Sequence, residues 1–421
     1  MNILALNILF STTFVLLYVA VCIRLKSFIN IFTPYFLITL ASRYLLDNLY
    51  FFFTEINPDL LTYLIVYSYS LLDFSSLLIG FWIAGSSIIN IKLFNMRSPL
   101  SNRAHWLTLA LSSALYLPIV ANNIDLITNP RDIYTATRTG AGPLFFGSLI
   151  LAYVSYALYL FSERQKSWTT WVYHILLIGS LLLHGNKSPL VVLFFMNIIY
   201  ASAIKRKLYT AIQAVKTGVL ITVLIIGLFV ISLSENMKQN FLLGVASYSD
   251  FNRNFALVVE DPPPIKLGML TLEGQIWPLI PRSLYPNKPK NFGTFYLAEH
   301  YYPEWFDADA GAPAFGFGVT YADFHQWAIL YILFTSLGVG ILLRLYFNRL
   351  RAHHSPGDFI MVVFLSGTPL IELGAGYQFI PHLILSIIVM LSLKTRFLPH
   401  RSNTNFVTIN TTTDHTSAPL S

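Results

Sequence analysis

Charge is the scarcest commodity in this chain. Asp, Glu, Lys and Arg make up 11 % of its 421 residues, whereas hydrophobic residues make up 55 %. An ordinary soluble domain carries about 25 % charged residues. So few charges cannot solvate the surface of a soluble protein this long, and the mean hydropathy of +0.59 points the same way. Cysteine is nearly absent. The single Cys22 excludes an internal disulfide and a thiolate metal cage, and is read as a small apolar filler. The chain shows no Walker loop, no zinc-ligand cluster, no Ser-His-Asp arrangement and no repeat of fixed period. The net charge of +7 is not a nucleic-acid signal, because the basic residues fall in short clusters between apolar segments.

What the chain has in quantity is apolar segments long enough to cross a bilayer, each needing about 20 residues. They fall near 3–22, 29–53, 60–90, 106–122, 141–161, 168–184, 188–204, 216–234, 326–347, 358–374 and 377–393. The expected fold class is an all-α polytopic membrane protein of about eleven transmembrane helices. The first segment has no basic region before it and no Ala-x-Ala site, so it reads as a retained helix and not a cleaved signal. Alternate connections are basic: Arg24 and Lys26; Lys92, Arg97 and Arg103; Arg164 and Lys166; Lys205 to Lys207; Arg344, Arg349 and Arg351; Lys394, Arg396 and Arg401. The positive-inside rule then places the N-terminus in the periplasm and the C-terminus in the cytoplasm.

One polar interval breaks the pattern. Residues 235–325 hold roughly half of the acidic residues, with many aromatics and prolines. The chain therefore divides into helices one to eight over 1–234, a large periplasmic loop over 235–325, helices nine to eleven over 326–396, and a disordered cytoplasmic tail over 397–421. Within the loop, Pro281-Arg282-Ser283-Leu284-Tyr285-Pro286-Asn287-Lys288-Pro289 holds two cations in a proline-stiffened segment. A guanidinium beside an ammonium suits diphosphate oxygens. The alternative is a lipid headgroup or a loop carboxylate. A second block runs Asp309-Ala310-Gly311-Ala312-Pro313-Ala314-Phe315-Gly316-Phe317-Gly318 to Tyr321-Ala322-Asp323-Phe324, at the entrance to the ninth segment.

These two blocks, in this order and at this place among the apolar segments, resemble the O-antigen polymerases, the family that joins oligosaccharide repeat units. The resemblance spans most of the chain in layout and some forty residues in motif. Val319, Asp323 and His325 depart from the family pattern, which favours Glu, Asn and Gly there. Lys187 in Gly185-Asn186-Lys187 stands where Arg is usual. The resemblance implies a GT-C-like membrane glycosyltransferase acting on polyprenyl-diphosphate-linked oligosaccharides, with no cofactor, no metal and no nucleic acid. Its partners would be the lipid-linked substrates, membrane lipids and a chain-length regulator protein. A ligase with the same donor, or a flippase of lipid-linked sugar, is the alternative.

On that reading, cations stabilise the leaving diphosphate. Arg282 and Lys288 come first, then Arg138 and Lys187. The base that activates the acceptor hydroxyl is sought among Asp323, His325, Glu273 and Glu372. Trp277, Tyr285, Trp305 and Tyr321 are candidate sugar-stacking rings, or else an interfacial belt. Asp307-Ala308-Asp309 is read as solvated loop acids. Intramembrane Arg43 and Asp47, spaced i, i+4, are read as a structural pair, with a proton or substrate relay as the alternative for them and Asp73.

Overall fold

The computed structural model describes residues 2–54, 58–87, 104–127, 133, 142–162, 167–185, 188–219, 241–246, 249–277, 280, 285–307 and 313–366. Among them every regular element is helical. Helix α1 (Ile3–Leu25) starts at Asn2, whose side chain accepts the Ala5 N–H at 2.8 Å, and stops at Lys26 in a left-handed conformation. The second segment is not one regular helix. α2 (Thr33–Thr39) passes through a π-helical stretch, Leu40–Leu45, into α3 (Leu46–Thr54). The widened turn carries Arg43 and Tyr44 inward, where both are buried.

α4 (Leu60–Ile83) is capped by Asp59, which accepts the Thr62 N–H at 2.8 Å, and ends before Gly85, short of the expected residue 90. α5 (Ala104–Asn122), α6 (Gly142–Leu160), α7 (Ser167–Leu183) and α8 (Ser188–Ala203) follow the apolar segments within a few residues. Among the described residues, four helical stretches are long and apolar enough to cross a membrane: Ile3–Leu25, Leu60–Ile83, Ala104–Asn122 and Gly318–His353. Four shorter apolar helices accompany them. The parts of the expected segments over 220–234 and 367–393, and the tail, lie outside the described residues.

The tightest helix pair is α4 with α15 (Ala328–His353). The two run parallel. Asp73 accepts a hydrogen bond from Ser336, and Arg344 Nε donates to Gly85 O at 2.6 Å near the far ends. Between these bonds the backbones touch. A Cβ on Gly340 would lie 2.1 Å from Leu77 O, and one on Gly80 would lie 2.1 Å from Leu337 O. Without a strong hydrophobic force between helices in lipid, such close approach of small residues is what holds them. α16 (Pro356–Leu365) folds back on α15 through a buried Arg349–Asp358 ion pair at 2.8 Å. α5 and α6 are antiparallel, joined by Ser112 Oγ donating to Ser148 O and Ser155 Oγ donating to His105 O.

One end of the bundle gathers basic residues. Arg24 lies over Trp82, Arg344 lies over Phe81, and Arg24 and Arg351 both sit close enough to Arg344 to repel it. The opposite end bears the polar interval, folded as a crown of short helices: α9 (Phe241–Ala246), α10 (Asp250–Glu260), α11 (Met269–Ile276), α12 (Thr294–Tyr301), α13 (Pro303–Asp307) and α14 (Gly318–Phe324). The crown has a small core of its own, Val258, Leu270, Leu297, Phe315, Val319 and Ala322. Phe255, Ala256 and Phe317 join it to the main core of the bundle.

Candidate functional site

The crown is keyed into the membrane bundle by side chains as well as by apolar packing. α10 is strongly amphipathic, and its inner face carries Asn252, Asn254, Phe255 and Val258, all buried. Asn252 Nδ2 donates to Arg43 O at 2.6 Å and to Asp47 Oδ2 at 3.0 Å, while its Oδ1 accepts from Arg43 Nη1 at 3.3 Å. Asp47 also accepts from Tyr67 at 2.8 Å, and Tyr67 accepts from Asn7 at 2.7 Å. Arg43 and Asp47, expected to pair with each other, are instead both bonded to the amide of Asn252. Asn254 ties the next layer: Tyr302 Oη donates to its Oδ1 at 2.7 Å, and its Nδ2 donates to Ala314 O at 2.8 Å. Burial pushes the Tyr302 phenol up, which keeps it a donor.

Among the candidate bases, Asp323 is fully buried and already engaged. Its carboxylate accepts from Leu270 N at 3.0 Å, Thr271 N at 2.9 Å and Thr271 Oγ1 at 2.6 Å. It therefore caps the start of α11 from a different helix, a use of carboxylate that satisfies orphan N–H groups. His325 closes α14 at a positive φ of 47° and bonds Pro263 O through Nε2 at 2.8 Å. Its ring stacks on Tyr321 at 5.9 Å. Glu273 sits half-buried on α11, one turn after the residues Asp323 caps.

Lys288 Nζ donates to Ile280 O at 3.1 Å and lies 4.9 Å from the Phe292 ring centre. Trp277 and Tyr285 stack at 5.8 Å. Trp305 is 57 % exposed beside Tyr302, and Tyr285 is 46 % exposed, so both rings present faces outward from the crown. Tyr321 instead packs inward against Phe255 and Tyr69. Arg282, Arg138, Lys187 and Glu372 lie outside the described residues, as do Ala308 and Asp309. The structure thus brings Asp323, His325 and Tyr321 together on and beside α14 at the junction of the crown with the bundle, with Glu273 on α11, the helix that Asp323 caps. It sets Trp277, Tyr285 and Lys288 on a neighbouring segment.

Sequence reasoning missed Arg253. It lies half-buried at the base of the crown, stacked 3.6 Å from the Tyr50 ring centre, with Nη1 donating to Ser249 Oγ at 3.0 Å. Asn252 and Asn254 were missed too. The legible signal was two amides on the apolar face of an amphipathic helix, where burial demands partners.

No protein-family model matches the chain, and no solved structure matches it. The chain is similar to a curated O-antigen polymerase of Salmonella typhimurium (strain LT2), 29 % identical over 385 residues, covering 88 % of this chain and 91 % of the relative. The O-antigen polymerase of Salmonella typhi matches to the same extent. The similarity runs along nearly the whole of both chains and agrees with the resemblance carried by the two loop blocks, and the described residues include four helices long and apolar enough to cross a membrane.

Proposed function

We propose that this chain joins polyprenyl-diphosphate-linked oligosaccharide repeat units at the periplasmic face of the inner membrane. The observation that carries the reading is the full-length similarity to two O-antigen polymerases. The folded crown at the end away from the basic cluster supports it, because the positive-inside rule then turns the crown outward. Eleven crossings, odd in number, leave the termini on opposite sides. The parallel course of α4 and α15, the third and ninth segments, fits that count.

In the proposed reaction a hydroxyl oxygen of one glycan attacks the anomeric carbon of the other. The new C–O bond forms as the bond to the diphosphate oxygen breaks. The hydroxyl proton passes to a base, and polyprenyl diphosphate leaves. Cations must stabilise that leaving group; Arg282, Lys288, Arg138 and Lys187 are assigned to it, with the diphosphate's own chemistry as the reason. Asp323 is occupied as a helix cap and His325 Nε2 is held on Pro263 O, so the base falls to Glu273 or Glu372. The outward rings of Tyr285 and Trp305 offer flat faces for sugars. No metal or nucleotide is assigned a step. A chain-length regulator is the proposed protein partner.

Deletion in a host with a known repeat-unit glycan tests this. Single-repeat decoration of the outer lipid is the expected result. Loss of all decoration while lipid-linked polymer is still made would mark a ligase, and accumulation of lipid-linked units on the cytoplasmic side would mark a flippase.

A further inference from the structure

We propose that Arg43 is a positioning residue: a strut rising from the π-helical stretch of the second membrane segment that holds α10 and the Gly316 turn of the crown in register. The proposal rests on the reading that the crown builds the polymerase site. Four observations converge on it. Arg43 is buried and sits in the π-helical stretch, a distortion that recurs at functional positions and costs regular hydrogen bonding. Its guanidinium and its own carbonyl both engage Asn252, 209 residues away in sequence. The same guanidinium lies 4.6 Å from the centre of the Phe317 ring and 5.6 Å from that of Phe251.

Gly316 completes the fit. It has φ +54°, and a Cβ there would lie 2.9 Å from Arg43 Nη2. The positive φ favours glycine here, and any side chain would have to push the guanidinium out of its place. Gly316 lies inside the Gly-rich block before the ninth segment, so the strut connects a membrane helix near the N-terminus to the block on which the family resemblance rests. A planar guanidinium can lie against a ring and bond an amide at once, whereas a lysine offers a single point charge. An arginine at this depth is costly unless it works; Asp73 and Asp47 of the bundle offset its charge, while its side-chain bond to Asn252 and its ring contacts with Phe251 and Phe317 reach into the crown.

The test uses the full chain in membranes with Cys22→Ala, so that introduced thiols report alone. Val319→Cys places a thiol in the crown core, and Val66→Cys places one in the bundle core; both positions are fully buried. Labelling by a water-soluble maleimide is followed with Arg43→Ala, Arg43→Lys and Asn252→Ala. We expect labelling at position 319 to rise roughly tenfold in Arg43→Ala and Asn252→Ala, the change in open population when a charge-assisted hydrogen bond is lost. Arg43→Lys should fall between, position 66 should stay protected, and glycan length should shorten in step with labelling at 319. Unchanged labelling at 319 in both alanine variants overturns the strut, and so does wild-type glycan length despite a tenfold rise. If Arg43→Ala is lost from the membrane, Asn252→Ala decides, since it leaves the arginine in place. A rise at 66 and 319 together in Asn252→Ala assigns the pair to the stability of the bundle and also overturns the proposal. Labelling reads no chemistry, so it stands whether or not the polymerase reading survives the deletion test.

Discussion

The contact between α4 and α15 allows a quantitative prediction. Replacing Gly340 by alanine adds one methyl group, which would lie 2.1 Å from Leu77 O and 2.9 Å from Phe81 N. A carbon normally approaches a carbonyl oxygen no closer than about 3.3 Å, so the helices must part by roughly 1 Å. Overpacking of this kind costs about 1–3 kcal/mol. Parting also stretches the Asp73–Ser336 hydrogen bond one turn away, where a bond between buried groups is worth roughly 0.5–3 kcal/mol. Alanine returns up to about 1 kcal/mol of helix propensity. The net expectation is a loss of about 0.5–5 kcal/mol. Gly338 is the internal control, because a Cβ there meets nothing within 4 Å. Gly338→Ala on the same helix should be neutral or gain a few tenths to about 1 kcal/mol. The assay is unfolding of the detergent-purified protein with increasing sodium dodecyl sulfate, followed by fluorescence. Equal stability of the two variants would refute the claim that backbone contact at Gly80 and Gly340 holds the pair.

Other expectations follow from single sites. Arg349→Ala leaves Asp358 buried and unpaired, and should cost about 3–5 kcal/mol in the same unfolding assay. Asp323→Asn should lower stability by roughly 1 kcal/mol, as loss of a helix cap does, yet keep glycan extension; loss of extension at normal stability would instead make Asp323 a base. Arg282→Ala should abolish extension with normal membrane abundance, and wild-type glycan lengths from that variant would remove Arg282 from the diphosphate site. Burial raises the Asp250 carboxyl, with Arg253 opposing. A raised carboxyl binds its proton more tightly folded than unfolded, so it favours folding at low pH, and that advantage is lost as pH rises through the folded value. Asp250→Asn should therefore raise the thermal midpoint at neutral pH, and the gap should close as pH falls through the carboxylate range.

Most of the bundle was legible in the sequence, because a membrane helix declares itself by composition over about 20 residues. The starts and ends of α5 to α8 fell within a few residues of expectation for that reason. The π-helical stretch at Leu40–Leu45 was not legible, since apolar length says nothing of hydrogen-bond register. The crown read only as a polar interval. Its order comes from contacts between distant residues, such as Arg43 with Asn252 and Asp323 with Leu270, which no local pattern announces. For Asp323 the sequence supplied the right location and an incomplete role. A carboxylate at the membrane entrance suggests a base, and only the fold shows the N–H groups it caps. Arg253 escaped notice because nothing near it in sequence marks it as the neighbour of Tyr50.

The central claim meets its most direct test in purified protein reconstituted into liposomes with the polyprenyl-diphosphate-linked repeat unit as sole substrate. The account predicts a ladder of glycan lengths without added nucleotide, with one polyprenyl diphosphate released per bond formed. Transfer that begins only when a lipid A-core acceptor is added, or no glycan longer than one repeat, would contradict it.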